Sequence, residues 1–235
     1  YNGDKLEASN IIGVYNPDQK KRVLLFAHWD SRPYSDRDEE KYHYTPIDGA
    51  DDGASGVGVL LEIARQIGMK GIGIGVDIIF FDAEDYGTPE FINNNHKQDT
   101  WCLGTQFWAK NPHIPGYKAD FGILLDMVGS KNATFYKEGT SKKYAAPIVE
   151  KVWSTARDLG YGRFFINADG GHIVDDHQYV ISGRNIPSID IINLNPDTPH
   201  GFGAYWHTQN DTMDNIDRET LKAVGQTVLE VIYKH

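Results

Sequence analysis

Residues 76–81, VDIIFF, run directly into Asp82-Ala83-Glu84-Asp85. A short apolar run of this kind is typical of a strand buried on both faces, as in a sheet covered by helices. FGILL at 121–125 reads the same way, and 10–14, 23–27 and 188–192 read as further strands. Between them lie helical patterns. Residues 53–67 carry Val57, Leu60, Leu61, Ala64 and Ile67 on one face. Residues 146–159 form a helix ending before Gly160, and 218–233 close the chain with Leu221, Val224, Val228 and Ile232 at helical spacing. Buried strands alternating with amphipathic helices imply an α/β fold, a central mixed and mostly parallel sheet sandwiched by helices.

In such sheets ligands bind beyond the carboxyl ends of the strands. The residues just past each apolar run are therefore informative. VLLFA leads into His28-Trp29-Asp30, VDIIFF into the acidic run at 82–85, and FGILL into Asp126. Asp51-Asp52 precede the first long helix, and Trp206-His207 end the loop after the last strand. Five segments deliver His or carboxylate to one edge.

Composition narrows the functions. The 235 residues suffice for one large α/β domain. With no repeat or Pro/Ser-rich linker, a single domain over 1–235 is expected. Hydrophobic residues at 40% and charged residues at 24% exclude a disordered chain. No apolar run approaches the roughly 18 residues of a membrane helix. Lys+Arg of 23 against Asp+Glu of 33 gives −10, which argues against a nucleic-acid partner. The lone Cys102 excludes an internal disulfide and Cys-rich zinc modules.

One Asp after a strand is usually a turn former or a helix cap. Single histidines such as His43, His96, His113 and His200 are expected on loops. Several carboxylates gathered at one edge are different, because their mutual repulsion is costly. No Lys or Arg is expected beside them, so a divalent cation is the economical counter-charge. Mixed Asp/Glu/His ligation without Cys suits catalytic zinc with an open position.

Taken together, HWDS (28–31), GADDGASG (49–56), FFDAEDYG (80–87), LLDMVG (124–129) and WHTQNDTMDNI (206–216) resemble the zinc aminopeptidase superfamily. Within it the chain is most similar to glutaminyl cyclases of the animal type and their bacterial relatives. Trp206 directly before His207, the doubled acid of Asp175-Asp176-His177 and the segment LLDMVGSKNATF carry that likeness. The resemblance implies zinc ligation by Asp52, Asp85 and His207, with Asp85 replacing the Glu of many relatives. It implies Glu84 as general base and acid, networked with Asp126 and Asp175. It implies a substrate pocket containing Trp206, Phe202 and Trp101. The expected reaction closes an N-terminal glutamine of a peptide or protein to pyroglutamate around one Zn²⁺.

The rival reading is a two-zinc aminopeptidase, in which His28 and Asp126 would bind the second ion. An inactive zinc-binding domain is the non-enzymatic alternative, though Glu84, the residue whose loss would mark it, is present. GIGIG (71–75) lacks dinucleotide spacing and precedes a strand, and GASG lacks a nucleophile elbow. Asn132 and Asn210 head sequons that carry meaning only in a eukaryotic secretory route. The polar stretch 87–100 reads equally as a solvated loop or a substrate-facing rim. Residues 1–10 read as the middle of a domain, and the resemblance implies an additional N-terminal helical portion. It also implies a periplasmic or secreted location.

Overall fold

Alternate residues of one strand feed two separate cores. In the computed structural model, which describes residues 5–92 and 99–235, strand β2 (Arg22–His28) is buried at all seven positions. Val23, Leu25 and Ala27 point to one face of the sheet, Leu24 and Phe26 to the other. The other strands are β1 (Ile11–Tyr15), β3 (Gly75–Phe81), β4 (Phe121–Asp126) and β7 (Ser188–Ile192), with the short parallel pair β5 (Phe135–Lys137) and β6 (Phe165–Asp169) apart. The main sheet runs β1-β3-β2-β4-β7. Only the edge strand β1 is antiparallel, so the sheet is mixed and mostly parallel, as the apolar runs predict.

Helices α1 (Ala54–Lys70), α3 (Gly139–Asp158) and α5 (Arg218–Tyr233) supply Val59, Leu60, Val149, Val152, Val224 and Val228 to the first core. Helices α2 (Leu103–Lys110) and α4 (Asp176–Arg184) supply Trp108 and Val180 to the second. A Cβ on Gly56 would lie 2.1 Å from the Leu125 carbonyl oxygen, so only glycine lets α1 lie this close to β4. The parallel register levels His28 with Phe81, and Asp126 with Ile192. The carboxyl ends of four strands therefore open onto one edge.

Two helices and the small sheet escape the sequence pattern. α2 has eight residues and starts from Cys102, whose φ of 53° is left-handed and which offers no side-chain cap. α4 buries only Asp176, His177 and Val180, too few apolar positions to register a helical period. α3 starts at Gly139, earlier than expected. Its backbone breaks at Ala145 (φ −141°, ψ 34°), just before Pro147, so the expected start at 146 is the start of its second half. Of the stretch 87–100, residues 93–98, with His96, lie outside the described residues, as do 1–4.

The first half of α3 is capped by the fully buried Glu138. Its carboxylate accepts from Thr140 N (2.8 Å), Ser141 N (2.6 Å), Ser141 Oγ (2.7 Å) and Ile173 N (3.1 Å), and His177 Nε2 lies 3.1 Å away. Burial alone would raise this carboxyl. The His177 bond and the backbone N–H groups reverse that and hold it at about 2. Its contribution to stability is thus complete above the ordinary 4.5 and is lost as pH falls toward 2. Glu138→Gln is expected to cost about 1.5–3 kcal/mol at neutral pH, with the deficit shrinking in acid. Urea denaturation of both proteins at pH 7 and pH 3 checks this.

Candidate active site

Two triads share one carboxylate at the open edge. Asp52, at the entry to α1, places Oδ1 3.2 Å from His28 Nε2 and Oδ2 3.6 Å from His207 Nε2. Asp85 Oδ1, beyond β3, lies 3.2 Å from His207 Nε2. Asp126 Oδ1, at the end of β4, lies 3.1 Å from His28 Nε2. All five residues are buried. A third group joins Glu84, Cys102 and Asp175, whose ligand atoms all lie within 4.8 Å of one another. The structure therefore gathers Asp52, Asp85, His207, Glu84, Asp126 and Asp175, as the sequence motifs predict.

The same edge is held by carboxylates that bind backbone. Asp30 accepts from the N–H groups of Glu84 and Asp85, both at 3.0 Å. Asp211 accepts from those of Asp51 (2.9 Å) and Asp52 (3.0 Å). Asp51 accepts from Gly129 N (2.7 Å) and Tyr205 Oη (2.6 Å). These residues are invisible as supports in sequence, because each looks like an ordinary loop acid.

One expectation fails. A cation does stand in the cluster: Arg32 is fully buried, grips Asp36 through Nε (2.9 Å) and Nη2 (2.5 Å), and places Nη1 3.6 Å from Asp85 Oδ1. It comes directly after HWDS, and its spacing to Asp36 is the one signal the sequence offers for it. Asp36 Oδ1 in turn faces His207 Nδ1 at 3.4 Å. That leaves Nε2 as the nitrogen presented to Asp52 and Asp85.

Burial dominates the protonation of this edge. It pushes Glu84 well above the usual carboxylate range, with Asp175 and Asp85 adding to the rise and His28 opposing it. Burial also lifts Asp126 to about 6 and Asp175 well upward. Desolvation would lower His207, but the Asp85 charge and the Asp36 contact hold it at about 9. Ala83, Cys102, Met127 and His207 all have positive φ, between 47° and 56°. Four non-glycine residues in this region beside one site mark stored backbone strain, on the order of 1–3 kcal/mol each.

Aromatic rings wall a cavity of about 250 Å³ over these groups. Trp206 stacks on His207 with ring centroids 3.8 Å apart, and Phe202 packs on Trp206 at 4.6 Å. Trp101 lies parallel to the His207 ring at 6.2 Å and under the Arg32 guanidinium at 4.8 Å. All three predicted pocket residues line the cavity.

The donor set suits a metal ion. Asp52 Oδ2 and Asp85 Oδ2 are buried with no hydrogen-bond partner among the described residues, and both belong to the triad completed by His207. Two carboxylates and an imidazole without thiolate fit zinc. Residues 10–232 match the sequence profile of Peptidase family M28. The chain belongs to peptidase family M28. A Zn-dependent exopeptidase from Parabacteroides distasonis is 73% identical over 100% of this chain and 80% of its own, with a TM-score of 0.98. A glutaminyl cyclase from Tannerella forsythia is 71% identical over 100% and 81%, with a TM-score of 0.97. A glutaminyl-peptide cyclotransferase of Bos taurus is 27% identical over 95% of this chain and 64% of its own length. The chain thus spans just under two thirds of that curated relative. The M28 family and the exopeptidase neighbour support zinc as the ion.

The Asp36–His207 contact makes a measurable statement about that ion. A carboxylate behind a ligating histidine fixes its ring and raises its basicity. Asp36→Asn is expected to weaken zinc binding about 10–100-fold. Competition with a chromogenic chelator, run beside a thermal melt, separates lost affinity from lost fold.

Proposed function

We propose that this M28 chain closes N-terminal glutamine of peptides to pyroglutamate and releases ammonia. The observation that carries the reading is the 71% identity, over the whole chain, to a protein described as a glutaminyl cyclase. The aromatic-walled cavity over Glu84 supports it, since it is sized for a small side chain. Zinc, when held by Asp52, Asp85 and His207, would supply Lewis-acid polarisation of the γ-carboxamide oxygen.

The protein's own residues do the rest. Trp206, Phe202 and Trp101 hold the glutaminyl chain folded so that its α-nitrogen meets its own side-chain carbonyl carbon. Such positioning is worth far more than any single proton transfer, with effective molarities up to ~10⁵–10⁸ M. Glu84 takes a proton from the α-ammonium. The α-nitrogen then attacks and the new C–N bond forms. Glu84 gives the proton to the carboxamide nitrogen, which leaves as ammonia as its bond to carbon breaks, and takes the surplus proton from the ring nitrogen, which passes on to solvent. The raised Glu84 carboxyl suits a group that must both accept and donate. Asp175, within reach of Glu84, keeps that carboxyl in a shared acidic network, and Asp126 ties the network to His28. One zinc per chain belongs to this reading. A periplasmic or secreted site of action belongs to it through the same resemblance, and cell fractionation tests it.

A second reading is favoured by His28, which with Asp52 and Asp126 forms a complete further triad. An aminopeptidase would fill both triads and hydrolyse the first peptide bond. Mass spectrometry of a short Gln-leading peptide with the zinc-loaded protein decides. Loss of one ammonia with all peptide bonds intact is expected. Loss of the first residue, with two zinc ions per chain, overturns the cyclase. Glu84→Gln is expected to keep its zinc and lose about 10²–10⁴-fold in kcat.

A further inference from the structure

The segment 101–104 is laminated onto the acidic run beyond β3. The N–H groups of Cys102, Leu103 and Gly104 donate to the carbonyls of Glu84, Ala83 and Asp82 at 2.9, 3.0 and 2.9 Å. A Cβ on Gly104 would lie 2.3 Å from the Asp82 carbonyl oxygen, and one on Gly87 would lie 1.9 Å from the Trp101 ring. Neither contact tolerates a larger residue. This clamp forces Cys102 into left-handed backbone (φ 53°) and drives its buried thiol onto the Glu84 carboxyl, Sγ to Oε1 3.0 Å. The backbone gains nothing from a non-glycine residue at that φ, so the side chain itself is the reason to hold one there.

We propose that Cys102 is a positioning residue for Glu84: its S–H donates to Oε1 and fixes the carboxyl rotamer that faces the substrate. The inference rests on the reading of Glu84 as the proton-transferring group. Burial and the adjacent Glu84 carboxyl push the thiol well above its ordinary range, so it stays a neutral donor. A thiol is a weak donor, and it orients the carboxyl without holding it ionised. A stronger charged donor would trap the proton acceptor and oppose its second task of giving the proton back.

The chain has a single cysteine, so its S–H stretching band in the infrared reports this thiol alone. In the zinc-loaded protein the band is expected below the free-thiol position, and Glu84→Ala is expected to return it there. Cys102→Ala is expected to keep its zinc, hold KM within about twofold and lower kcat about 3–10-fold, the range of one weak hydrogen bond. Cys102→Ser, which keeps a donor, is expected to recover most of that loss. A wild-type band at the free-thiol position, or a Ser variant no better than Ala, overturns the proposal. The band needs no turnover and no variant of Cys102, so a poorly folding Ala variant leaves the test intact. A shifted band in a protein that does not cyclise glutamine overturns the reaction assigned above and leaves the thiol–carboxyl contact standing.

Discussion

Everything at the open edge of this sheet answers to one constraint, the mutual repulsion of buried carboxylates. Asp52, Glu84, Asp85, Asp126 and Asp175 converge where water cannot screen them. Three kinds of relief operate. Arg32, His28 and His207 supply positive or proton-donating partners. Protonation is favoured at Glu84, Asp126 and Asp175, whose carboxyls burial lifts upward. The third is the divalent ion proposed for Asp52, Asp85 and His207, which would use the two oxygens, Asp52 Oδ2 and Asp85 Oδ2, that have no hydrogen-bond partner among the described residues.

The surplus of acid in the composition acquires a structural meaning from this. A net charge of −10 could have been a solvated surface. Instead Asp30, Asp51, Asp211 and Glu138 accept hydrogen bonds from backbone N–H groups, which fixes the loops that aim the central carboxylates. Asp36 does the same for the Arg32 side chain and the His207 ring. Acid thus orients acid, one layer outward from the chemistry.

How far the sequence reveals this depends on the range of the interaction. β2, β3, β4 and β7 are legible because a strand buried on both faces is mostly apolar, with Asp77 and Asp190 the mid-strand exceptions. His28, Glu84, Asp85 and Asp126 are legible because they sit at or just past the end of such a run, whereas Asp52, Asp175 and His207 are legible as site residues through the family resemblance. α2 and α4 are not, since tertiary contacts instead of their own periodicity hold them. Arg32 is the instructive miss. Its position lies beside a quoted motif, yet nothing local says that its side chain turns inward to meet Asp85. Cys102 is hidden for the same reason, since its role comes from a backbone clamp between segments 18 positions apart in sequence.

The shared edge also dictates when, in the life of the polypeptide, the site can exist. Its groups come from His28, Asp52, Glu84, Asp126, Asp175 and His207, spread along the chain and joined only through the parallel register. A nascent chain emerging from the ribosome carries the first four long before His207 appears. Until then Asp52 and Asp85 lack the imidazole that completes their triad. That triad therefore closes late in synthesis, whereas His28, Asp52 and Asp126 have all emerged well before it.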